Sequence, residues 1–222
     1  TFTDVVSLGP SGRVSWRKVR SDQAIIGRLA EGALSFGTTV ATNALLERQG
    51  VRTLLIVSEG FQDLAAIGDQ CRPDLFDPDA TRQPPLCTGI LEVPGRLSGD
   101  GEELEPLSLH TLSTAALEGY QSYAVVLLHS HRSGVHEQAV GQWIRAHVGE
   151  SIPISLGHHV SPSLGYLARI ETTLVDAAIT PILKSAMHED EIAPTALAIR
   201  SDGSLCPAHQ LSAPDAILSG PA

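Results

Sequence analysis

Leu34-Ser35-Phe36-Gly37-Thr38-Thr39-Val40-Ala41-Thr42-Asn43-Ala44-Leu45-Leu46-Glu47-Arg48-Gln49-Gly50 is the stretch on which the reading of this chain turns. A glycine and two threonines open an apolar-periodic run. Gly37 permits close backbone approach or a positive φ. Thr38 and Thr39 suit the N-terminal cap of a helix, and their hydroxyls are equally able to face a ligand. Val40, Ala44, Leu45 and Leu46 predict a helix from Val40 to Arg48, with Gly50 as its stop signal. A helix start rich in hydroxyls and free N–H groups is an anion site by its physics. The same residues also make an ordinary capped helix. Asn43 falls four residues after Thr39 on one helical face. Gly37, Thr38, Thr39 and Asn43 are therefore expected to face a cleft rather than the core.

The two ends of the chain bear on that choice. It begins Thr1-Phe2-Thr3-Asp4-Val5-Val6 and stops at Leu218-Ser219-Gly220-Pro221-Ala222. The first segment looks like the tail of a Gly-Gly-Thr-Phe-Thr-Asp turn, the last like the start of a Ser-Gly-Pro-Ala-Gly-Gly turn. Between them run Glu59-Gly60-Phe61-Gln62-Asp63, Ile67-Gly68 with Arg72-Pro73, and Val126-Leu127-Leu128-His129-Ser130 with His136-Glu137. Arg169 with Thr172-Thr173 and then Ser201-Asp202-Gly203 follow. In this order the pieces resemble the N-terminal region of the hydantoinase A/oxoprolinase family, within the actin-like and sugar-kinase ATPase superfamily. The resemblance covers essentially the whole chain. The chain departs from the commonest family form at Gly165-Tyr166-Leu167-Ala168, where acidic residues are usual, at Asp176, and at Arg200.

Composition narrows the classes independently. A chain of 222 residues with 42% apolar content buries a sizeable core and is not disordered. With only 4% aromatics, that core must rest on Leu, Val, Ile and Ala. A formal net charge of -10 argues against nucleic acid, which calls for a basic stripe. It leaves ATP open, because backbone N–H groups and Mg²⁺ hold phosphate. Cys71, Cys87 and Cys206 are sparse and without a C-x-x-C, which reads as reduced thiols in a cytoplasmic protein. No apolar run reaches the roughly 18 residues of a membrane span, and no signal peptide is visible.

Along the chain, Phe2–Leu8 and Arg13–Val19 predict a hairpin around Pro10-Ser11-Gly12. Ser21–Gly32 reads as a short helix or irregular passage, and Leu34 with Phe36 as a short strand. Arg52–Val57 and Tyr123–His129 are continuous apolar runs and predict buried strands. Short helices are expected at Phe61–Ile67 and Leu109–Gly119, and an irregular, proline-rich passage over 70–100. Val135–Val148 reads as an amphipathic helix with Val135, Ala139 and Trp143 one turn apart. Ile152–Gly157 and Thr195–Arg200 predict strands, Ile170–Met187 a long helix broken or kinked near Pro181, and Ala216–Ser219 the start of another strand. Strands alternating with helices define an α/β fold with parallel pairing. The resemblance refines this to a mixed sheet with flanking helices, a ribonuclease-H-like or actin-like N-terminal half opening with a β-hairpin.

The site residues follow from the resemblance and from residue chemistry. Thr1, Thr3 and Asp4 stand where the first phosphate turn ends, and two hydroxyls before a carboxylate suit phosphate and Mg²⁺. Asp4 is the expected metal contact. Ser219 and Gly220 open the second phosphate turn, so Thr1, Asp4 and Ser219 are expected to lie close together. Thr38, Thr39, His129 and Asp4 are the expected catalytic residues, and Gly37, Asn43, Arg169 and Asp202 the expected substrate contacts. Residues beyond parallel strands line the active crevice, which favours His129. His129, His131, His136 and Glu137 also invite a metal reading, against a strand-end histidine and a glutamate opening a helix. Arg169 either holds an anion or pairs locally with Glu171. His158-His159 reads as a loop pair after a strand, and Asp202-Gly203 makes a turn in any fold.

The resemblance implies an ATP-dependent amidohydrolase that opens a cyclic amide of hydantoin or oxoproline type by phosphorylating its carbonyl oxygen. Its partners would be the cyclic amide, a second hydantoinase-type subunit or domain, and further copies in a homo-oligomer. Residues 1–222 would form one N-terminal region, with the adenine-binding half outside it. A related ATP-dependent ketone carboxylase, or a non-catalytic binding or assembly module, fits the same residues.

Overall fold

The computed structural model describes residues 2–9, 11–20, 34–71, 74–77, 79–193 and 195–219, with the side chains of Phe2 and Thr3 left aside. Two strands decide the architecture. In β4 (Thr53–Ser58) and β8 (Ser122–Val126) every residue is buried. A strand buried on both faces belongs in the middle of a parallel sheet. The sheet order is β5-β4-β8-β9, with β5 Gly89–Val93 and β9 Ile154–Leu156, and each neighbouring pair is parallel. At their start Thr53 and Ser122 pair in register, and their hydroxyls meet at 2.7 Å, so the polar ends are satisfied in the dry interior.

Alternation sends successive residues to opposite faces. Leu54, Ile56, Tyr123 and Val125 face one core with Val140 and Ile144 of helix α3 (Val135–Val148). Leu55, Val57, Ala124 and Val126 face another with Ile170, Leu174 and Ala177 of helix α5 (Tyr166–Glu189). Two short helices precede α3 in sequence, α1 (Val40–Leu46) before β4 and α2 (Leu64–Ile67) after it, and α4 (Gly157–Val160) links β9 to α5.

A second, mixed sheet has the order β11-β10-β3, from Leu205–Pro207, Leu197–Ile199 and Ser35–Phe36. Its core joins Phe36, Ala41, Ala44, Ala198 and Leu211 to Ala178, Ile179, Leu183 and Met187 of α5. α5 thus carries two of the three cores. Small residues allow this close approach: Gly50 lies so near α5 that a Cβ there would stand 3.0 Å from Ala178 Cβ. The hairpin β1–β2 (Phe2–Leu8, Val14–Arg20) pairs in antiparallel register, Val6 against Trp16 and Leu8 against Val14. Arg96–Leu97 and Glu103–Glu105 form the small antiparallel pair β6–β7.

Several expected elements differ. Leu109–Gly119 is two short 3₁₀ turns, Leu109–Thr111 and Thr114–Leu117, rather than a helix. Ala216–Ser219 starts no strand; the segment holds helix α6 (Ala213–Ala216) and a turn, with Ala213 and Ala216 buried against the second core. β8 stops at Val126, three residues before His129, which lies in the following turn with φ 62. The long helix starts at Tyr166 and runs unbroken through Pro181. The buried face of α3 is His136, Glu137, Val140, Gly141 and Ile144, while Val135 is exposed. The passage 21–33 lies outside the described residues.

Candidate functional site

Three segments far apart in sequence meet at one place. The Ser219 hydroxyl donates to the Thr38 carbonyl at 3.0 Å across 181 residues. A Cβ on Gly37 would stand 3.3 Å from the Ser219 carbonyl oxygen, so the backbone approach there wants glycine. Thr42 Oγ1 donates to the Ile217 carbonyl. Ser201 closes the group: its hydroxyl donates to Asp215 O at 2.7 Å and accepts from Leu218 N–H at 3.0 Å. The Gly-Thr-Thr, Ser-Asp-Gly and Leu-Ser segments are therefore neighbours.

Within this group Gly37, Thr39 and Asn43 are exposed and Thr38 is half-buried. Thr38 Oγ1 accepts from Val40 N–H at 3.2 Å, and Asn43 Nδ2 reaches Thr39 Oγ1 at 3.5 Å. Thr39 precedes α1 without a side-chain capping bond. Asp202 is exposed, and hydrogen bonds from the Ser204 side chain and from Ser204 N–H, the latter 2.9 Å from Oδ1, lower its carboxyl from the usual value. Asp4 is exposed on β1, 3.6 Å from Lys18 Nζ. Thr3 pairs with Val19 in the hairpin register. Thr1 and Gly220 lie outside the described residues.

A second polar cluster sits at the carboxyl ends of β4 and β8. The loop after β8 is pinned from four sides. Leu127 N–H donates to Glu137 Oε1 at 2.9 Å, and Leu128 N–H to Ser58 Oγ at 2.9 Å. Arg169 Nη2 donates to Leu127 O at 3.1 Å, and the Tyr166 hydroxyl to Val126 O at 2.9 Å. Glu137 is fully buried at the first turn of α3, and its other oxygen accepts from His158 N–H at 2.8 Å and from His158 Nδ1 at 2.5 Å. Arg169 is 1% exposed, so it is no surface arginine; Glu171 pairs instead with Arg82. Its Nη1 donates to Ser163 O, Leu164 O and His131 Nδ1, the last at 3.3 Å. Burial pulls the Arg169 value down and pushes the Tyr166 phenol up to about 12.

This cluster divides the expected histidine set. His136 is buried and meets Glu103 at 2.7 Å, while Glu137 serves His158. Only His129 and His131 remain neighbours, with ring centroids 6.2 Å apart. Among the described residues no group of three or more His, Cys, Asp and Glu is placed to hold a metal ion. Sequence reasoning missed Ser58, Glu137 and Tyr166 as the scaffold of this loop. The signal was present in Glu137, an acidic residue in the first turn and on the buried face of an amphipathic helix. Asp176 is likewise structural: its oxygens accept from Ser155 at 2.6 Å and Thr180 at 2.7 Å.

An α/β chain with polar residues gathered beyond its parallel strands is the class these observations define. Residues 1–148 match the hydantoinase/oxoprolinase N-terminal region. The chain is 35% identical over 85% of its length to 5-oxoprolinase 1 of Arabidopsis thaliana, and 33% identical over 84% to caprolactamase subunit alpha of Pseudomonas jessenii. It spans 17% and 29% of those two proteins. The crystal structure of the ATP-dependent caprolactamase superposes on the whole chain with a TM-score of 0.75 at 27% identity, covering 37% of that chain. Nucleotide-free acetone carboxylase superposes with a TM-score of 0.79 at 18% identity, covering 38% of that chain, a likeness of fold. The chain belongs to the hydantoinase/oxoprolinase family.

Proposed function

We propose that residues 1–222 form the N-terminal region of an ATP-dependent hydrolase that opens a cyclic amide of hydantoin or oxoproline type. Its fold is read as the ribonuclease-H-like, actin-like half, with the adenine-binding half contributed by chain outside these residues. The observation that carries this reading is the meeting of Gly37-Thr38, Ser201 and Ile217-Ser219. These are the family's motif segments, and folding brings them to one point although nothing local requires it. The 5-oxoprolinase and caprolactamase relatives supply the substrate class, and the name of the second supports assembly with a further subunit. A homo-oligomer and a cytoplasmic location complete the proposal.

A nucleotide phosphate is supported by the bare backbone of Gly37, where a side chain would crowd the Ser219 carbonyl, and by the exposed carboxylate of Asp4, which would hold Mg²⁺. Bound ATP would supply the phosphoryl group that makes an unreactive amide carbonyl electrophilic. Thr1 and Thr3 with Ser219 and Gly220 are proposed to hold that phosphate end. The chain's own residues then orient the ring: Thr38 and Thr39 with Asn43 present hydroxyl and amide groups, and Asp202 and His129 complete the polar lining.

The test is ADP release by the complete polypeptide that contains this chain, with and without 5-oxoproline, hydantoin and caprolactam. ATP hydrolysis is expected only with a cyclic amide present. Hydrolysis at one rate regardless of the amide, or stimulation by a ketone with bicarbonate alone, would reject the reading.

A further inference from the structure

We infer that His131, its proton fixed on Nε2 by Arg169, is a neutral hydrogen-bond donor to the carbonyl oxygen of the cyclic amide; this role rests on the proposed function above. The tautomer follows from the donor inventory. A guanidinium has donors and no acceptor. Arg169 Nη1, whose two hydrogens also serve the Ser163 and Leu164 carbonyls, lies 3.3 Å from His131 Nδ1 and can only donate, so the contact favours a lone pair on Nδ1. In a neutral ring the proton then sits on Nε2. Among the described residues Nε2 has no hydrogen-bond partner.

The surroundings keep the ring neutral. Burial, then Arg169, Arg132 and His129 beside it, lower the His131 value from its ordinary 6.5. A neutral imidazole donor in a cationic neighbourhood polarises a carbonyl and stabilises the negative charge that grows on its oxygen, without itself giving up a proton.

The position is consistent with substrate rather than with scaffold. His131 is half-buried, on the loop beyond the carboxyl end of β8, where parallel α/β sheets bind ligands. Beside it His129 is held at φ 62, a backbone state that costs a non-glycine residue about 1–2 kcal/mol. Among the described residues Ser130 Oγ and Arg169 Nε are both buried without a partner. Ser130 N–H and Arg169 Nη2 both donate to Leu127 O, which places the two orphaned groups at one turn of the loop. The Nη1 and Nη2 groups of Arg169 are committed to Leu127, Ser163, Leu164 and His131, so in this role Arg169 is a positioning residue that acts on substrate through the imidazole.

Two substitutions in the complete enzyme separate donor from shape. Glutamine places an amide N–H near the imidazole Nε2 position; phenylalanine keeps the ring and removes the donor. His131→Phe is expected to lower kcat/KM for the cyclic amide about a hundredfold, with the fold retained by circular dichroism. His131→Gln should return to within a few fold of wild type. In parallel, ¹⁵N imidazole NMR of the 222-residue chain should show His131 neutral at pH 7 with Nδ1 unprotonated. A protonated Nδ1, or a Phe variant equal to wild type on an amide the wild type turns over, overturns the role of His131 and leaves the proposed function standing. A wild-type enzyme that turns over no cyclic amide overturns both, and the NMR spectrum then reports the Arg169–His131 geometry alone.

Discussion

A histidine in the left-handed region persists only where its neighbours over-determine the backbone. His129 is such a residue, and the neighbours are Glu137, Ser58, Tyr166 and Arg169 acting on the residues just before it. Glu137→Ala would leave Leu127 N–H, His158 N–H and His158 Nδ1 without an acceptor, at a cost of about 3 kcal/mol from unsatisfied donors alone. Chemical denaturation should record it, and a change below about 1 kcal/mol would show that water replaces the carboxylate. His131 makes a pH prediction. Its folded value is lowered, so the unfolded chain takes up the proton first as pH falls. The associated stability is intact above the unfolded value near 6.5 and declines as pH drops below it. His131→Gln should lose less stability than wild type between pH 7.5 and 5.5. At Thr38 the hydroxyl accepts from Val40 N–H, so Thr38→Val should cost about 1 kcal/mol of stability. On the proposed function, the complete polypeptide should also lose turnover of about tenfold, equal to about 1.4 kcal/mol. Loss of stability with turnover intact would reduce Thr38 to a turn residue.

At the scale of elements, α3 shows why an apolar count misleads. Its face toward the sheet carries His136 and Glu137 together with Val140 and Ile144. Glu137 is tolerated there because backbone and imidazole donors surround both oxygens. The turn before the helix is shaped to keep that arrangement. A Cβ on Gly134 would lie 2.3 Å from His158 Nε2, so Gly134→Ala must push the imidazole aside. The expected result is loss of the His158–Glu137 bond, visible as a change in the His158 ¹⁵N resonances, with the rest of the spectrum preserved. An unchanged His158 signal would mean that the turn shifts instead. The expected interruption at Pro181 does not occur: α5 continues through it, and Ile179 and Leu183, flanking the proline, are fully buried. Tertiary packing thus carries a helix through a residue that local preference would use to end it.

For the whole molecule, α5 is the common wall of two cores. Leu174 packs with Leu55, Val57 and Ala124, and Leu183 packs with Phe36, Ala44 and Ala198. One helix of 24 residues spans about 36 Å, enough to serve both. Unfolding should therefore be a single transition. Leu174→Ala and Leu183→Ala should each cost about 2–5 kcal/mol and shift that one transition. Far-ultraviolet circular dichroism and Trp143 fluorescence, the latter reporting the other face of the sheet, should move together. Separate midpoints would show that the two cores fold independently.

The sequence by itself determined two buried strands, expected at Arg52–Val57 and Tyr123–His129 and observed at Thr53–Ser58 and Ser122–Val126, the helix Val135–Val148 to the residue, and the N-terminal hairpin. Continuous apolar runs and helical spacing are local signals that survive in any tertiary context. Its motif segments also named the family. Only the tertiary structure decided that Arg169 is buried rather than a surface partner of Glu171, that Glu137 and Tyr166 scaffold the loop after β8, and that Ser219 closes on Thr38. The physical reason is common to all three. A polar side chain earns its burial from partners far away in sequence, and no local period records which backbone carbonyl or amide will be waiting there.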